Sequence, residues 1–309
     1  MPRRGLTLLA ACSMAVTSLE ISAPVPKILV AHRGASAYAP EHTRAAYELA
    51  IVQHADYVEQ DLAVTKDGRL VCLHDDTLER TTDVETVFPD RATIDDQGRK
   101  RWLIPDFTLA EIKQLDAGSW FDAKFAGERV LTWEDARAIV EGRAGMYPEL
   151  KTPALYRGRG LDMVSIFADA VRDQALAPIA AHAGRPPLYL QSFDEQTVRE
   201  LSRRLPSVPR TFLIGDADTA KRWLTSAEQV RAMAAFATDV SPAKALIEQY
   251  PRVVEWAHAA GLTVTPYTFR AAAPGAFSTV EAEMRHFLFD LGVDALFTDN
   301  PDKFPRAPR

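Results

Sequence analysis

The sequence predicts an α/β protein: a TIM (β/α)8 barrel with an antiparallel hairpin arm and a small insertion after the second barrel strand. Eight short apolar runs, beginning near residues 28, 57, 144, 188, 211, 237, 262 and 294, alternate with helix-like patterns, which is the count such a barrel needs. Polar residues stand near the ends of several runs: Arg33, Asp61, Lys151 and Asp299. Barrel enzymes assemble their sites from many strand ends in this way. The rival is an open doubly wound sheet, and the scatter of polar strand ends favours the barrel.

The elements follow in chain order. Residues 28–31 (ILVA) form a short apolar run that ends on His-Arg-Gly and reads as a buried strand. Residues 41–55 carry a helical pattern, with Ala45, Leu49 and Val52 as the expected inner stripe. Residues 57–65 alternate and read as the second strand. Glu59 and Asp61 are two apart on it and so share a face. Asp67-Gly68 reads as a two-residue hairpin loop, which pairs Lys66 with Arg69 and Val64 with Val71 and sets His74 opposite Asp61. Residues 77–130 are polar and irregular, too long for an ordinary loop, with one capped helix at 108–116 in which Glu111 completes a capping box on Thr108. The Arg99–Arg101 run there reads as a solvated face. Beyond 131 the alternation resumes: helices at 133–142 (capped by Thr132), 161–174 and 195–205, and strands at 144–151, 188–193, 211–214, 237–240, 262–268 and 295–298. No short repeat or low-complexity stretch interrupts it.

The chain has 309 residues and is 47% apolar, ample for a core. The expected barrel domain covers 27–305. The net charge of −6 gives no basic footprint for nucleic acid. An anionic ligand would therefore need a local positive centre, for which Arg33, Lys151 and a bound cation are the candidates. Residues 1–26 read as a signal peptide: Arg3-Arg4 precede an apolar run over 5–16 that is too short to span a bilayer. The chain is thus expected to be exported, periplasmic or extracellular. Leu9-Ala10-Ala11-Cys12 also resembles a lipoprotein box, with a lipid anchor at Cys12 as the alternative. A mis-called start ahead of a cytosolic enzyme is the third reading. Of the two cysteines, Cys72 reads as a packed, unpaired thiol.

The chemistry concentrates between residues 31 and 76. His32 and His74 bracket Glu59 and Asp61, and Arg33 follows the first histidine. Imidazoles exchange protons near neutral pH. Carboxylates on one strand face repel each other unless a cation lies between them. The guanidinium fork suits phosphate oxygens. The set points to metal-assisted cleavage of a phosphate ester.

The motifs HRG, PEHT, EQD, TKDG and HDDTLERTTD, with FTLAEIKQLDAGSWF, YPELK, LQSFD, TPYTF and ALFTDNP further on, resemble the glycerophosphodiester phosphodiesterase family over nearly all of the chain after residue 27. Most of that family has Asn where this chain has His42. PEHT and EQD resemble a secreted bacterial branch. The resemblance implies a barrel with catalytic His32 and His74 and a metal held by Glu59, Asp61 and Glu149. It implies substrate contacts from Arg33, Lys151, Gln191 and Tyr267, with Glu41 on the metal, on the glycerol or at a helix start. The last two strand positions also fit barrel packing. His42, His54, His182, His258 and His286 are read as structural. A donor set of carboxylates without cysteine calls for a hard cation. The branch resemblance selects Ca²⁺, with Mg²⁺ as alternative. The implied reaction yields glycerol 3-phosphate and a free alcohol such as choline or ethanolamine, with the glycerol hydroxyl as a possible first nucleophile. A diesterase of lysophospholipids or polymer phosphodiesters, or a non-catalytic exported binding protein, are the alternatives.

Overall fold

The computed structural model describes residues 26–172 and 184–307. All but the last residue of the leader-like segment lies outside that range, as do Cys12, the end of the 161–174 helix and His182. The strands are β1 (Ile28–Ala31), β2 (Tyr57–Val64), β3 (Leu70–Cys72), β4 (Thr93–Ile94), β5 (Lys100–Arg101), β6 (Gly145–Leu150), β7 (Leu190–Ser192), β8 (Arg210–Ile214), β9 (Asp239–Pro242), β10 (Thr263–Val264) and β11 (Ala295–Thr298). Eight of them run side by side in the order β10-β9-β8-β7-β6-β2-β1-β11, and every neighbouring pair is parallel. Past Val264 the chain turns to β11: Phe297 N–H donates to Pro266 C=O at 3.1 Å, and Phe269 N–H donates to Phe297 C=O at 2.9 Å. These bonds close the sheet into the expected barrel.

The two-residue strand period sorts the barrel interior into layers. Tyr57, Glu59 and Asp61 alternate along β2, and Tyr147 and Glu149 along β6, with Lys151 just beyond. Tyr57, Tyr147, Val30 and Phe297 pack as one small apolar cluster. One layer further along the same strands the side chains are carboxylates. The larger apolar core lies between the outer sheet face and the helices, and Tyr47, Trp133, Phe167, Phe212 and Phe287 are buried in it.

Several local expectations change. The first helix is Arg44–Val52, started by the Thr43 side chain, and it buries Ala46, Tyr47 and Ala50. Its inner stripe is therefore rotated from Ala45, Leu49 and Val52, and Val52 is 68% exposed. The hairpin is shifted by one residue: Val64 pairs with Leu70 and Leu62 with Cys72. Thr65 N–H donates to Arg69 C=O, which leaves a three-residue loop ending on Gly68 at φ +74°, the left-handed position that suits glycine. Leu73, not His74, accordingly faces Asp61 across the ladder, its N–H donating to the Asp61 C=O at 2.8 Å. The 262–268 strand is regular only over Thr263–Val264, since Pro266 has no N–H to give the ladder.

The insertion is not merely polar surface. Leu78, Val84, Trp102, Ile104, Phe107, Ile112 and Leu115 are buried and continuous with the main core. Arg99 and Lys100 are exposed, and Arg101 pairs with Glu79 at 3.0 Å. Among the described residues, no helix is long and apolar enough to cross a membrane.

Candidate active site

A cavity of about 150 Å³ lies at the carboxyl ends of the barrel strands, lined by His32, Arg33, Glu59, Asp61, His74, Glu149, Lys151, Gln191, Phe193 and Tyr267 among others. Strand ends at this face are where barrels build sites. All sequence-derived site residues except Glu41 line it.

Three carboxylates form its floor. Glu59 and Asp61 from β2 and Glu149 from β6 each present an oxygen within 4.8 Å of the others, because Asp61 and Glu149 are register partners. All three are almost fully buried. Burial, then the charge of Asp61, holds Glu59 well above the usual carboxylate range. Burial and Asp61 also raise Glu149. Burial works against ionisation of Asp61 too, but Lys151, His42 and Arg33 outweigh it and keep its carboxyl low. Three crowded carboxylates that resist joint ionisation are a donor set that a divalent cation would satisfy. The amide oxygen of Gln191, buried and without a hydrogen-bond partner among the described residues, sits beside them while its Nε2 donates to Glu59 Oε1 at 2.8 Å.

Positive charge surrounds this floor. Lys151 Nζ is 3.1 Å from Glu149. Arg33 has a left-handed backbone, φ +58°, and its N–H donates to Glu59 Oε2 at 3.0 Å. Its guanidinium lies 3.2 Å from Asp61 and 3.2 Å from Glu41. Gly34 follows because a Cβ there would meet Ala46 at 2.8 Å. Glu41 stands apart from the carboxylate cluster. It borders a neighbouring cleft with His32, Arg33 and Arg270, and its oxygens accept from Arg33 and Arg80. Tyr267 Oη donates to the Ile214 C=O at 3.1 Å, and its ring meets Phe193 edge-on at 5.8 Å.

Each histidine is backed by an aspartate. His32 Nδ1 lies 2.6 Å from Asp299 Oδ1, and Arg270 holds the other Asp299 oxygen at 2.8 Å. His74 Nδ1 lies 2.7 Å from Asp75 Oδ1, and Arg80 grips that carboxylate together with Glu41. Burial and Arg33 push the His32 imidazole down to about 4, so it is neutral near pH 7. In both rings the aspartate fixes Nδ1 and frees Nε2 for chemistry.

Sequence reasoning gave no role at the site to four participants. His42, read as structural, bonds Asp61 Oδ2 through Nε2 and Tyr47 Oη through Nδ1, each at 2.9 Å. Its departure from the usual Asn in PEHT was the available signal. Asp75 directly follows His74 in the HDD motif. Asp299 was visible as a polar strand end, but its pairing with His32 and Arg270 had no local signal, since the three meet only when the barrel closes.

The fold and the site together define a barrel enzyme that works on a phosphate ester. Residues 32–303 match the glycerophosphoryl diester phosphodiesterase family, and the chain belongs to that family. It is 31% identical over 291 residues to the glycerophosphodiester phosphodiesterase of Bacillus subtilis, covering 91% of this chain and 86% of the relative. The crystal structure of a glycerophosphodiester phosphodiesterase from Agrobacterium tumefaciens is 30% identical, with TM-score 0.61 over 90% of this chain and 98% of the other. A phosphodiesterase from Oleispira antarctica, solved in complex with the product sn-glycerol-3-phosphate, is 26% identical, with TM-score 0.68 over 90% and 95% of the two chains.

Proposed function

We propose that the protein hydrolyses glycerophosphodiesters to glycerol 3-phosphate and a free alcohol by metal-assisted catalysis with two histidines. The carrying observation is the convergence of three buried carboxylates, Arg33, Lys151 and two aspartate-backed histidines on one cavity. Glu59, Asp61 and Glu149 would hold the cation, Ca²⁺ in our reading, with Mg²⁺ the alternative. When bound it supplies Lewis acidity toward a phosphoryl oxygen. Arg33 and Lys151 bind the other phosphoryl oxygen and stabilise the charge that grows on it. His32, buried and neutral, takes the proton of the attacking hydroxyl at Nε2. His74, whose side chain is 34% exposed and so in exchange with solvent, gives a proton to the departing alcohol oxygen as the phosphorus–oxygen bond breaks; where the attacking hydroxyl is the substrate's own glycerol hydroxyl, the cyclic phosphate so formed is opened by water with the two histidines' roles exchanged, giving glycerol 3-phosphate. Gln191 orients Glu59, and Tyr267 walls the substrate's glycerol side.

The test is stoichiometry. Purified protein supplied with glycerophosphocholine and a divalent cation should release equal amounts of glycerol 3-phosphate and choline. Release of glycerol and phosphocholine instead would mean that the other ester bond is cut and would overturn the assignment.

We further propose that residues 1–26 direct export and are removed. Amino-terminal sequencing of protein recovered from the periplasm or medium should begin near residue 27. A lipid-modified Cys12 would replace removal by anchoring, and intact protein confined to the cytosol would contradict both.

A further inference from the structure

We propose that a groove running from the active centre along residues 150–155 is the subsite for the substrate's alcohol, and that it takes an alcohol with an apolar body. The proposal rests on the phosphodiesterase reading above. The groove, about 430 Å³, shares Glu149, Lys151 and Phe193 with the central cavity and continues past Pro153, Ala154 and Leu155. A phosphoryl oxygen held at Lys151 therefore places an ester substituent at its entrance. Asp76 borders the groove two residues after His74, so the proposed acid and the departing oxygen fall on the same side.

The walls of the groove are carbon. Pro153 opens the helix Pro153–Arg157 and presents no N–H. Phe193 is 44% exposed and lines both the central cavity and the groove, so its ring is available to an occupant that spans the two. The rim hydroxyls and one oxygen of each rim carboxylate are already engaged. Asp76 accepts from the Thr152 hydroxyl. Asp194 accepts from Thr197 N–H at 3.0 Å and from its hydroxyl at 2.6 Å. Ser192 donates to the Leu150 C=O at 2.9 Å. Between Lys151 at the entrance and the two rim carboxylates the surface left for an occupant is mainly apolar, which favours a hydrocarbon chain over a small ammonium head group.

Glycerophosphodiesters of methanol, butanol and hexanol test this, with glycerophosphocholine set beside its neutral isostere, the 3,3-dimethylbutyl ester. The wild-type protein should show kcat/KM rising about two- to fourfold per methylene, and the neutral isostere should serve at least as well as choline. Ala154→Glu, at an exposed position, should flatten the series when each ester is referred to the same variant's methyl ester, and Leu155→Ser should do so in part. A flat wild-type series with an active methyl ester, or a tenfold preference for choline over its isostere, overturns the groove assignment and leaves the phosphodiesterase reading intact. No turnover of any ester overturns both.

Discussion

At the scale of single residues, the site divides into groups that do chemistry and groups that hold them. His32→Ala and His74→Ala should each lower kcat on the order of 10²–10⁴-fold with little change in thermal stability, measured by release of glycerol 3-phosphate. His42 touches Asp61 but lines no part of the cavity. Outer partners of metal ligands typically contribute 10–100-fold in affinity, so His42→Ala should weaken the divalent cation by about that factor in calorimetric titration. An unchanged affinity would make His42 a packing residue. The sequence carried Glu59 and Asp61 as a pair because strand period alone puts them on one face. It could not carry the His32–Asp299–Arg270 chain, because the two ends of the first pair are 267 positions apart and meet only through closure of the β1–β11 seam.

At the scale of elements, caps and turns decide where the residues fall. Thr132 and Asp135 form a reciprocal capping box on the helix Trp133–Val140, which buries Trp133, Ala136, Ile139 and Val140. Thr132→Ala should cost about 1 kcal/mol, read as a lower urea midpoint at unchanged slope. Caps of this kind are legible, because the signal sits within four residues. The barrel strands were legible for a similar reason: most are short apolar or alternating runs bounded by turn chemistry, although β9, Asp239–Pro242, falls two residues beyond the expected 237–240. The hairpin register was not. A two-residue and a three-residue loop both fit Lys66-Asp67-Gly68-Arg69, and the one-residue difference moves every partner down the arm. The truncation of β10 had a visible cause in Pro266, but the closing bonds from Pro266 and Phe269 to β11 belong to the barrel and not to the segment.

At the scale of the whole molecule, the barrel interior changes character along its axis, and pH acts differently at its two ends. Asp239 is fully buried near the aromatic layer. Its Oδ1 accepts from Thr263 and Thr265 at 2.6 and 2.8 Å, yet burial raises its carboxyl to about 7. In the unfolded chain it ionises near pH 4. Between those values the unfolded state gains by losing the proton while the folded state keeps it, so stability falls as pH rises from about 4 to 7 and is level above. Asp239→Asn should remove this slope and leave the variant more stable than wild type at pH 8, by an amount on the order of a few kcal/mol, shrinking toward pH 4. The raised Glu59 and Glu149 add a slope of the same sign, so the test is the difference between wild type and variant: a difference that does not change between pH 4 and 8 would contradict the assignment to Asp239.

The carboxylate floor at the opposite end carries the central claim, that Glu59, Asp61 and Glu149 act through a hard divalent cation. The most direct measurement is turnover of glycerophosphocholine after thorough chelation, then after adding back Ca²⁺ or Mg²⁺. The account expects turnover to vanish on chelation and to return with Ca²⁺ more fully than with Mg²⁺. Turnover that survives complete removal of metal would contradict it.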